Sequence, residues 1–230
     1  AAGRCTGNYG FYLGATNKNI DEVKALRVGE ACGIKAFMGA STGDMLVDDP
    51  DSLDKMFEHA PIMVVTHCED SPMIWANEDA AREKYGEDVP LTEHPNIRSA
   101  EACYKSSSFA IELASKHDAL LHVLHLTTEM EMAHFSPAPR AEKRITAEVC
   151  VHHLWFDESR YEELGSRIKC NPAIKSPADR SALMEALKTG RIDIIATDHA
   201  PHTSEEKAST DYREAPSGLP LVQDALLSLL

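Results

Sequence analysis

One stretch decides the fold of this chain, and it reads Arg191-Ile192-Asp193-Ile194-Ile195-Ala196-Thr197-Asp198-His199-Ala200-Pro201-His202. Its apolar, β-branched run over 192–196 follows Gly190 and has the length of a buried strand. The run ends abruptly in an aspartate and two histidines, so this strand would deliver polar side chains to its carboxyl edge. In a parallel α/β barrel, catalytic residues lie at that edge. The stretch therefore predicts a barrel strand that carries Asp198 into a functional site.

Upstream, apolar runs of strand length alternate with helical segments. The predicted strands cover residues 11–14, 34–38, 61–67, 120–126, 145–149 and 192–196. The predicted helices cover 20–31 with Asn19 as its cap, 51–59, 97–116, 127–135, 157–164 and a segment that begins at Ser176-Pro177. Residues 70–95 are polar and irregular in pattern, and we expect a short helix and an excursion there.

Such alternation implies a parallel sheet with helical crossovers. A closed barrel of this kind needs eight strands, and the pattern supplies six. The prediction is an α/β fold, a TIM (β/α)8 barrel with about six of its eight strands in this chain. We expect one domain over residues 1–230 that is incomplete at both ends.

The composition limits the classes of partner. Of the 230 residues 43% are hydrophobic and 26% charged, which is ordinary for a globular protein. The formal net charge of −14 argues against nucleic acid and an anionic membrane surface, but not against a small anionic substrate. We expect neither a membrane span nor a signal peptide. Six widely spaced cysteines without a Cys-x-x-Cys pair predict reduced core thiols in a cytoplasmic protein.

Four residues at or near predicted strand ends have side chains suited to a divalent metal: Lys35, His67, His125 and Asp198. Neutral imidazoles and a carboxylate are donors that Zn²⁺ and similar ions accept. Each residue comes from a different strand, so the argument depends on their shared position at the barrel edge. His67 could instead be a polar loop residue, and Asp198 an ordinary helix N-cap.

Two further alternatives stay open. Lys35 lies in mid-strand, where an unpaired ammonium is costly, so it would either pair with an inward carboxylate or become a carbamate by adding carbon dioxide. His122 and His125 are three positions apart in a predicted strand and would therefore face opposite sides. We expect His125 to point inward and His122 to pack between strand and helix. We interpret the pair at 152–153 as mainly structural.

A family resemblance rests on six segments that run in order along nearly the whole chain. They are Gly33-Ile34-Lys35-Ala36-Phe37, Thr66-His67-Cys68-Glu69, Leu124-His125-Leu126-Thr127-Thr128, Val151-His152-His153-Leu154, Asn171-Pro172-Ala173-Ile174 and Ala196-Thr197-Asp198-His199-Ala200-Pro201-His202. This set resembles the cyclic amidohydrolases and, among them, the long-chain dihydroorotases. The Asp-His-Ala-Pro-His and Asn-Pro elements are the most specific. Hydantoinases and allantoinases share the barrel and the metal ligands but usually differ just after the Asp-His.

The resemblance implies a metal-dependent enzyme of pyrimidine biosynthesis. It would reversibly hydrolyse the cyclic amide of dihydroorotate to N-carbamoyl-aspartate. The resemblance implies two Zn²⁺ ions bridged by carboxylated Lys35, with His67 and His125 on one ion and Asp198 on the other. Asp198 would also carry the proton.

The resemblance further implies that Asn171, His202 and Gly218 contact the substrate, and that the loop over 202–218 closes on it as a lid. The partner would be this small molecule, and we expect a homo-oligomer such as a dimer. Two alternatives are kept: a hydantoinase-like or allantoinase-like ring opener, and a non-catalytic scaffold related to dihydroorotase.

One family element is missing from the sequence. The family carries a His-x-His pair on its first barrel strand, followed by an arginine, and no His-x-His occurs here. The helical apolar pattern over 221–229 also runs to the last residue without a stop signal. We therefore expect a piece of a longer protein, with the first two strands before Ala1, and we doubt that the piece is active alone.

Overall fold

The centre of the protein is one parallel sheet. The structure is a computed structural model that describes residues 3–39 and 45–230. Within these residues six strands pair in sequence order, every pair parallel. The strands are β1 (Leu13–Gly14), β2 (Ile34–Phe37), β3 (Val64–His67), β4 (Leu121–Val123), β5 (Ile145–Cys150) and β6 (Ile194–Ala196). The predicted number and order of strands are confirmed.

Helices connect successive strands. They are α1 (Ile20–Ala25), α2 (Pro50–His59), α3 (Ser71–Tyr85), α4 (His94–Ile97), α5 (Ala100–His117), α6 (Val151–Trp155), α7 (Tyr161–Leu164) and α8 (Pro177–Lys188). Short 3-10 helices cover Leu91–Glu93, Met130–His134, Arg140–Glu142, Glu158–Arg160, Gly165–Ile168, Glu206–Ala208 and Leu227–Leu229. The sequence predicts a loop over 39–49 after the strand at 34–38, and residues 40–44 of it lie outside the described part. No described helix is both long and apolar enough to cross a bilayer.

The capping contacts at the N-termini of α1 and α8 can be compared with the prediction. Ser176 and Asp179 form the reciprocal capping box of α8, with both side-chain to backbone bonds at 3.1 Å. Asn19 is the N-cap residue of α1 but makes no side-chain capping bond, because its side chain accepts from Thr16 N at 2.8 Å and donates to Gly14 O at 2.9 Å. Its polar atoms hold the turn after β1, and α1 ends at Ala25 instead of reaching 31.

Two predicted segments were wrong in type, and a third was wrong in extent. Residues 70–95, where a short helix and an excursion were predicted, contain the 15-residue helix α3, whose N-cap Asp70 accepts from Met73 N at 3.0 Å. Few α3 residues are buried, so its apolar periodicity is weak in the sequence. The helix predicted over 127–135 is a 3-10 helix, and residues 221–229 form turns before Leu227–Leu229.

The two faces of the sheet have different chemistry. The face against the helices is apolar and buried, and its residues include Ile34, Ala36, Val64, Leu121, Val123, Ala147 and Val149. Because side chains alternate along a strand, the intervening residues face the opposite, inner side. There the strand register aligns Lys35 with Val65, Val65 with His122, and His122 with Thr146. The polar residues of the sheet are therefore collected on its inner face.

The six cysteines do not share one environment. Cys68, Cys103, Cys150 and Cys170 are buried free thiols, as predicted. Cys5 and Cys32 are exposed free thiols, so the prediction of a core position is wrong for these two. Cys5 lies before β1, and Cys32 lies just before β2. Phe11 and Tyr12, which lead into β1, are also exposed, with exposed fractions of 67% and 52%. Little protein covers this edge of the sheet within the described residues.

Candidate active site

Two histidines from neighbouring strands meet on the inner face. His67 is the last residue of β3, and His125 lies two residues beyond β4 with a left-handed φ of 36°. The His67 Nδ1 and His125 Nε2 atoms are 3.1 Å apart, and both residues are at least 95% buried. The turn at His125 aims its imidazole at the end of β3. The structure thus brings together two residues that are 58 positions apart in sequence.

The orientation of His122 differs from the predicted one. Its Nδ1 lies 2.8 Å from Thr146 Oγ1 and its Nε2 lies 3.1 Å from Glu148 Oε2. Its neighbours in β4 face the helices, so His122 faces the inner side and is not packed between strand and helix. The prediction assumed that one strand continues to His125. Because β4 ends at Val123 and His125 is left-handed, both histidines turn inward.

Lys35 is the cation of the inner face. Its Nζ lies 4.4 Å from the centre of the Phe37 ring. Among the described residues no carboxylate lies within ion-pair distance of it, so the alternative of a paired lysine is not what the structure shows. Burial lowers the pKa of Lys35 to about 8, and the negative charge of Asp198 opposes part of this effect. A large neutral fraction of this amine is therefore present near pH 8.

Asp198 faces the same region from β6. It lies two residues beyond that strand with a left-handed φ of 45°. Although Asp198 is exposed at this edge, the surrounding protein excludes enough water to raise the pKa of its carboxyl, and the charges of His67 and Lys35 oppose this. The next helical turn begins only at Glu206, so Asp198 is not a helix N-cap.

A fifth residue of the site, Glu69, was not selected from the sequence. It is fully buried, accepts from Arg98 Nη1 at 2.5 Å, and has its Oε2 atom 2.9 Å from His67 Nε2. Burial alone would raise the pKa of Glu69, but Arg98 and the His67 hydrogen bond hold it well below its usual range. A carboxylate two positions after a strand-end histidine was the available signal. Glu69 orients the His67 ring.

The donor set fits a divalent metal. Burial, then the nearby charges of His67 and Lys35, lower the pKa of His125 well below its usual value, which keeps this imidazole neutral. The His125 Nδ1 atom is buried without a hydrogen-bond partner. Neutral imidazoles and a carboxylate are the ligands that Zn²⁺ accepts, and a desolvated lysine amine can become an anionic carbamate. Lys35, His67, His125 and Asp198 are thus chemically able to hold such an ion.

Two of the three predicted substrate contacts are adjacent. The His202 Nε2 atom lies 3.2 Å from Ser217 O, next to Gly218. Gly218 has a φ of 136°, and a Cβ there would lie 2.6 Å from Ala200 O, so only glycine fits. Asn171 precedes the cis peptide bond to Pro172, and its Oδ1 is buried without a partner. The described contacts join its segment to Gly218 through a bond from Gly218 N to Lys169 O at 2.9 Å.

Buried lysines hold the loop over 202–218. Lys207 Nζ donates to Lys169 O at 3.1 Å and to Pro216 O at 2.8 Å. Lys169 Nζ donates to Tyr212 O and, at 2.7 Å, to Ala215 O. Burial lowers the pKa of each lysine to about 8. The loop predicted to be a lid is therefore anchored at several carbonyls in this structure.

Two curated sequence relatives, both dihydroorotases, match most of this chain. No protein-family model matches the chain. The dihydroorotase of Listeria monocytogenes is 35% identical over 195 residues, which is 84% of this chain and 44% of that protein. The dihydroorotase of Halobacterium salinarum is 35% identical over 198 residues, 85% of this chain and 44% of the relative. The chain spans less than half the length of these relatives.

Solved structures agree on the fold. The L-hydantoinase (dihydropyrimidinase) of Arthrobacter aurescens superposes with a TM-score of 0.87 at 21% identity, covering 96% of this chain and 50% of that one. The dihydroorotase of Saccharomyces cerevisiae, in complex with 5-fluoroorotic acid, superposes with a TM-score of 0.67 at 19% identity. The match covers 95% of this chain and 59% of that one. At these identities the likeness establishes the architecture alone, a TIM barrel. The chain is a homologue of the dihydroorotases and carries part of a TIM barrel.

Proposed function

We propose that the protein carrying this chain is a dihydroorotase. It would reversibly hydrolyse the cyclic amide of dihydroorotate to N-carbamoyl-aspartate, with ring closure as the biosynthetic direction. The observation that carries the proposal is the 3.1 Å approach of His67 and His125 on the inner face that also holds Lys35 and Asp198. The names of the sequence relatives favour this substrate over a hydantoin.

We assign Lys35, His67, His125 and Asp198 to a pair of Zn²⁺ ions, with Lys35 as the bridging carbamate. When bound, such ions lower the pKa of water and polarise an amide carbonyl. The pKa of about 8 favours carboxylation of Lys35, because only the neutral amine reacts with carbon dioxide. The reaction forms an N–C bond and releases one proton, which leaves an anionic carbamate.

Asp198 is assigned to proton transfer. It would take the proton of the attacking water and return it to the ring nitrogen as the C–N bond breaks. Its raised pKa supports this role, because a carboxylate that is a stronger base accepts the proton more readily.

The substrate is assigned to Asn171, His202 and Gly218. Asn171 Oδ1 is a buried acceptor without a partner, which suits a ring N–H of the substrate. The close approach at Gly218 keeps the His202 ring beside the chain at 217–218. A homo-oligomer such as a dimer and a cytoplasmic location remain predictions.

The test is an assay of the purified protein with Zn²⁺ in both directions of the dihydroorotate reaction, with hydantoin and allantoin as competing substrates. Asp198→Asn should lower turnover by about 10²- to 10⁴-fold while much of the metal stays bound. Asp21→Asn, an exposed position on α1, is the matched control and should keep full turnover.

Each alternative has its own outcome. Preference for hydantoin or allantoin would replace the proposal by the related ring opener. A metal-loaded protein that turns over none of the three substrates would support the non-catalytic scaffold. Near-normal turnover in Asp198→Asn would remove the assigned proton carrier.

A further inference from the structure

A second group of metal-binding side chains lies at the end of β5. Cys150, His152 and His153 bring the thiol sulfur and one ring nitrogen from each histidine within 4.8 Å of one another. Their exposed fractions are 0%, 2% and 3%. None of them belongs to the set assigned above. The sequence suggested a mainly structural role for the two histidines.

Several ring nitrogens of this cluster lack hydrogen-bond partners. Both ring nitrogens of His152 and the Nδ1 atom of His153 are buried without a hydrogen-bond partner in the described structure. Buried polar atoms nearly always have a partner, so three orphaned nitrogens on adjacent residues need an explanation. A bound cation would accept one lone pair from each ring and so account for one nitrogen of His152 and for Nδ1 of His153.

The contact between His153 and Pro172 determines which nitrogen of His153 is free. His153 Nε2 lies 3.2 Å from Pro172 O, and a carbonyl can only accept, so Nε2 carries the proton. The lone pair is then on Nδ1, the atom without a partner. Histidines that bind metals commonly donate their other N–H to a carbonyl or carboxylate in this way.

The chemistry of the three donors agrees with a transition metal. Burial lowers the pKa of His152 to about 3 and that of His153 well below its usual value, so both rings are neutral. Burial also raises the pKa of the Cys150 thiol, so an incoming cation must displace the thiol proton. One thiolate and two imidazoles are soft and borderline donors that suit Zn²⁺ and exclude Mg²⁺ and Ca²⁺.

We propose that Cys150, His152 and His153 bind a Zn²⁺-type ion through a ligand set that shares no residue with Lys35, His67, His125 and Asp198. The ion exchanges for the Cys150 S–H proton and joins the end of β5 to the first turn of α6. None of the three residues is among those assigned to the substrate or to proton transfer, so we assign the ion a structural role.

Cobalt distinguishes the two sites, since the first centre has no sulfur ligand. Metal-free protein is titrated with Co²⁺ in a Cys5→Ser/Cys32→Ser background, which removes the exposed thiols. We expect a sulfur-to-cobalt charge-transfer absorption that saturates at one equivalent. Cys150→Ser should abolish this absorption, and His152→Gln should weaken cobalt binding at this site.

Two controls accompany the titration. Cys170→Ser removes a buried thiol that lies 3.8 Å from His153 Nε2 but donates to Pro172 O, and it should keep the absorption. Lys35→Ala should also keep it while losing cobalt from the other centre. Bound cobalt without the absorption, or an unchanged absorption in Cys150→Ser, overturns the proposal.

If the Cys150→Ser variant fails to fold, a second measurement on the unsubstituted protein still tests the site. Zinc-edge X-ray absorption on the Zn²⁺-loaded parent protein should show a sulfur shell with an occupancy that corresponds to one thiolate ligand. A shell of nitrogen and oxygen alone overturns the site without any substitution at Cys150.

Discussion

Glu69 determines which nitrogen of His67 is free. The Glu69 Oε2 atom lies 2.9 Å from His67 Nε2, so that nitrogen carries the proton and the lone pair is on Nδ1. His67 Nδ1 is the atom that approaches His125, at 3.1 Å. Arg98 neutralises the buried carboxylate from the other side. The pair at 67 and 69 therefore orients a ligand before any metal is bound.

Replacing Glu69 by glutamine should weaken metal binding. The amide removes the charge that holds the Nε2–H tautomer of His67, and loss of such a supporting contact typically costs about 10- to 100-fold in metal affinity. Competition with a chromophoric chelator measures the change. Glu78→Gln, which breaks an outer Glu78–Arg82 pair on α3, should leave the affinity unchanged. Equal affinities for the Glu69→Gln and parent proteins would show that Glu69 does not support the ligand.

Removal of the Lys35 side chain should deplete the metal. In Lys35→Ala the bridging anion is absent, so we expect loss of bound Zn²⁺ and a fall in turnover of more than about 100-fold. Short carboxylic acids should restore part of both, because they can occupy the vacated space as an anion. Metal analysis and turnover with and without added acetate test this. Lys24→Ala on the exposed face of α1 is the control. Full metal content in Lys35→Ala would refute the carbamate.

The stability of the metal-free protein should reveal the buried amine. The pKa of Lys35 is about 8 in the folded chain and 10.5 in the unfolded chain, so below pH 8 folding carries the full cost of burying the ammonium. A shift of this size corresponds to roughly 3 kcal/mol. Lys35→Met removes the cost, and its stabilising effect should be largest below pH 8 and fade as the pH rises to about 10.5. Chemical denaturation of both proteins across this range measures it, and a pH-independent difference would contradict the prediction.

The loop over 202–218 should loosen when its anchor is removed. Lys207→Met keeps the aliphatic stem but leaves the carbonyls of Lys169 and Pro216 without their donor. We expect the closed form of the loop to lose about 1–3 kcal/mol. Faster proteolysis within the loop and a higher KM for the substrate measure this effect. Lys188→Met at the exposed end of α8 is the control and should change neither.

Much of this architecture was predictable from local pattern. Apolar runs that end in polar residues located the strands β2, β3, β5 and β6, and Ser176-Pro177 located the start of α8. These signals are local, because a buried parallel strand needs a continuous apolar run and a helix start needs a side-chain acceptor. The full length of helix α3 was not predicted, because it buries few residues and so leaves little periodicity in its sequence.

The sequence by itself determined the order of the strands and the residues that stand at their carboxyl ends, because alternation and strand direction are local properties of the chain. Only the tertiary structure decided which way those side chains point. The end of β4 at Val123 and the left-handed turn at His125 direct both His122 and His125 inward. Packing of distant elements placed Arg98 beside Glu69, which keeps that carboxylate ionised, and gathered Cys150 with His152 and His153. Among the described residues, it left no carboxylate within ion-pair distance of Lys35. Ionisation depends on how much water the whole fold excludes, and a single stretch of sequence does not contain that information.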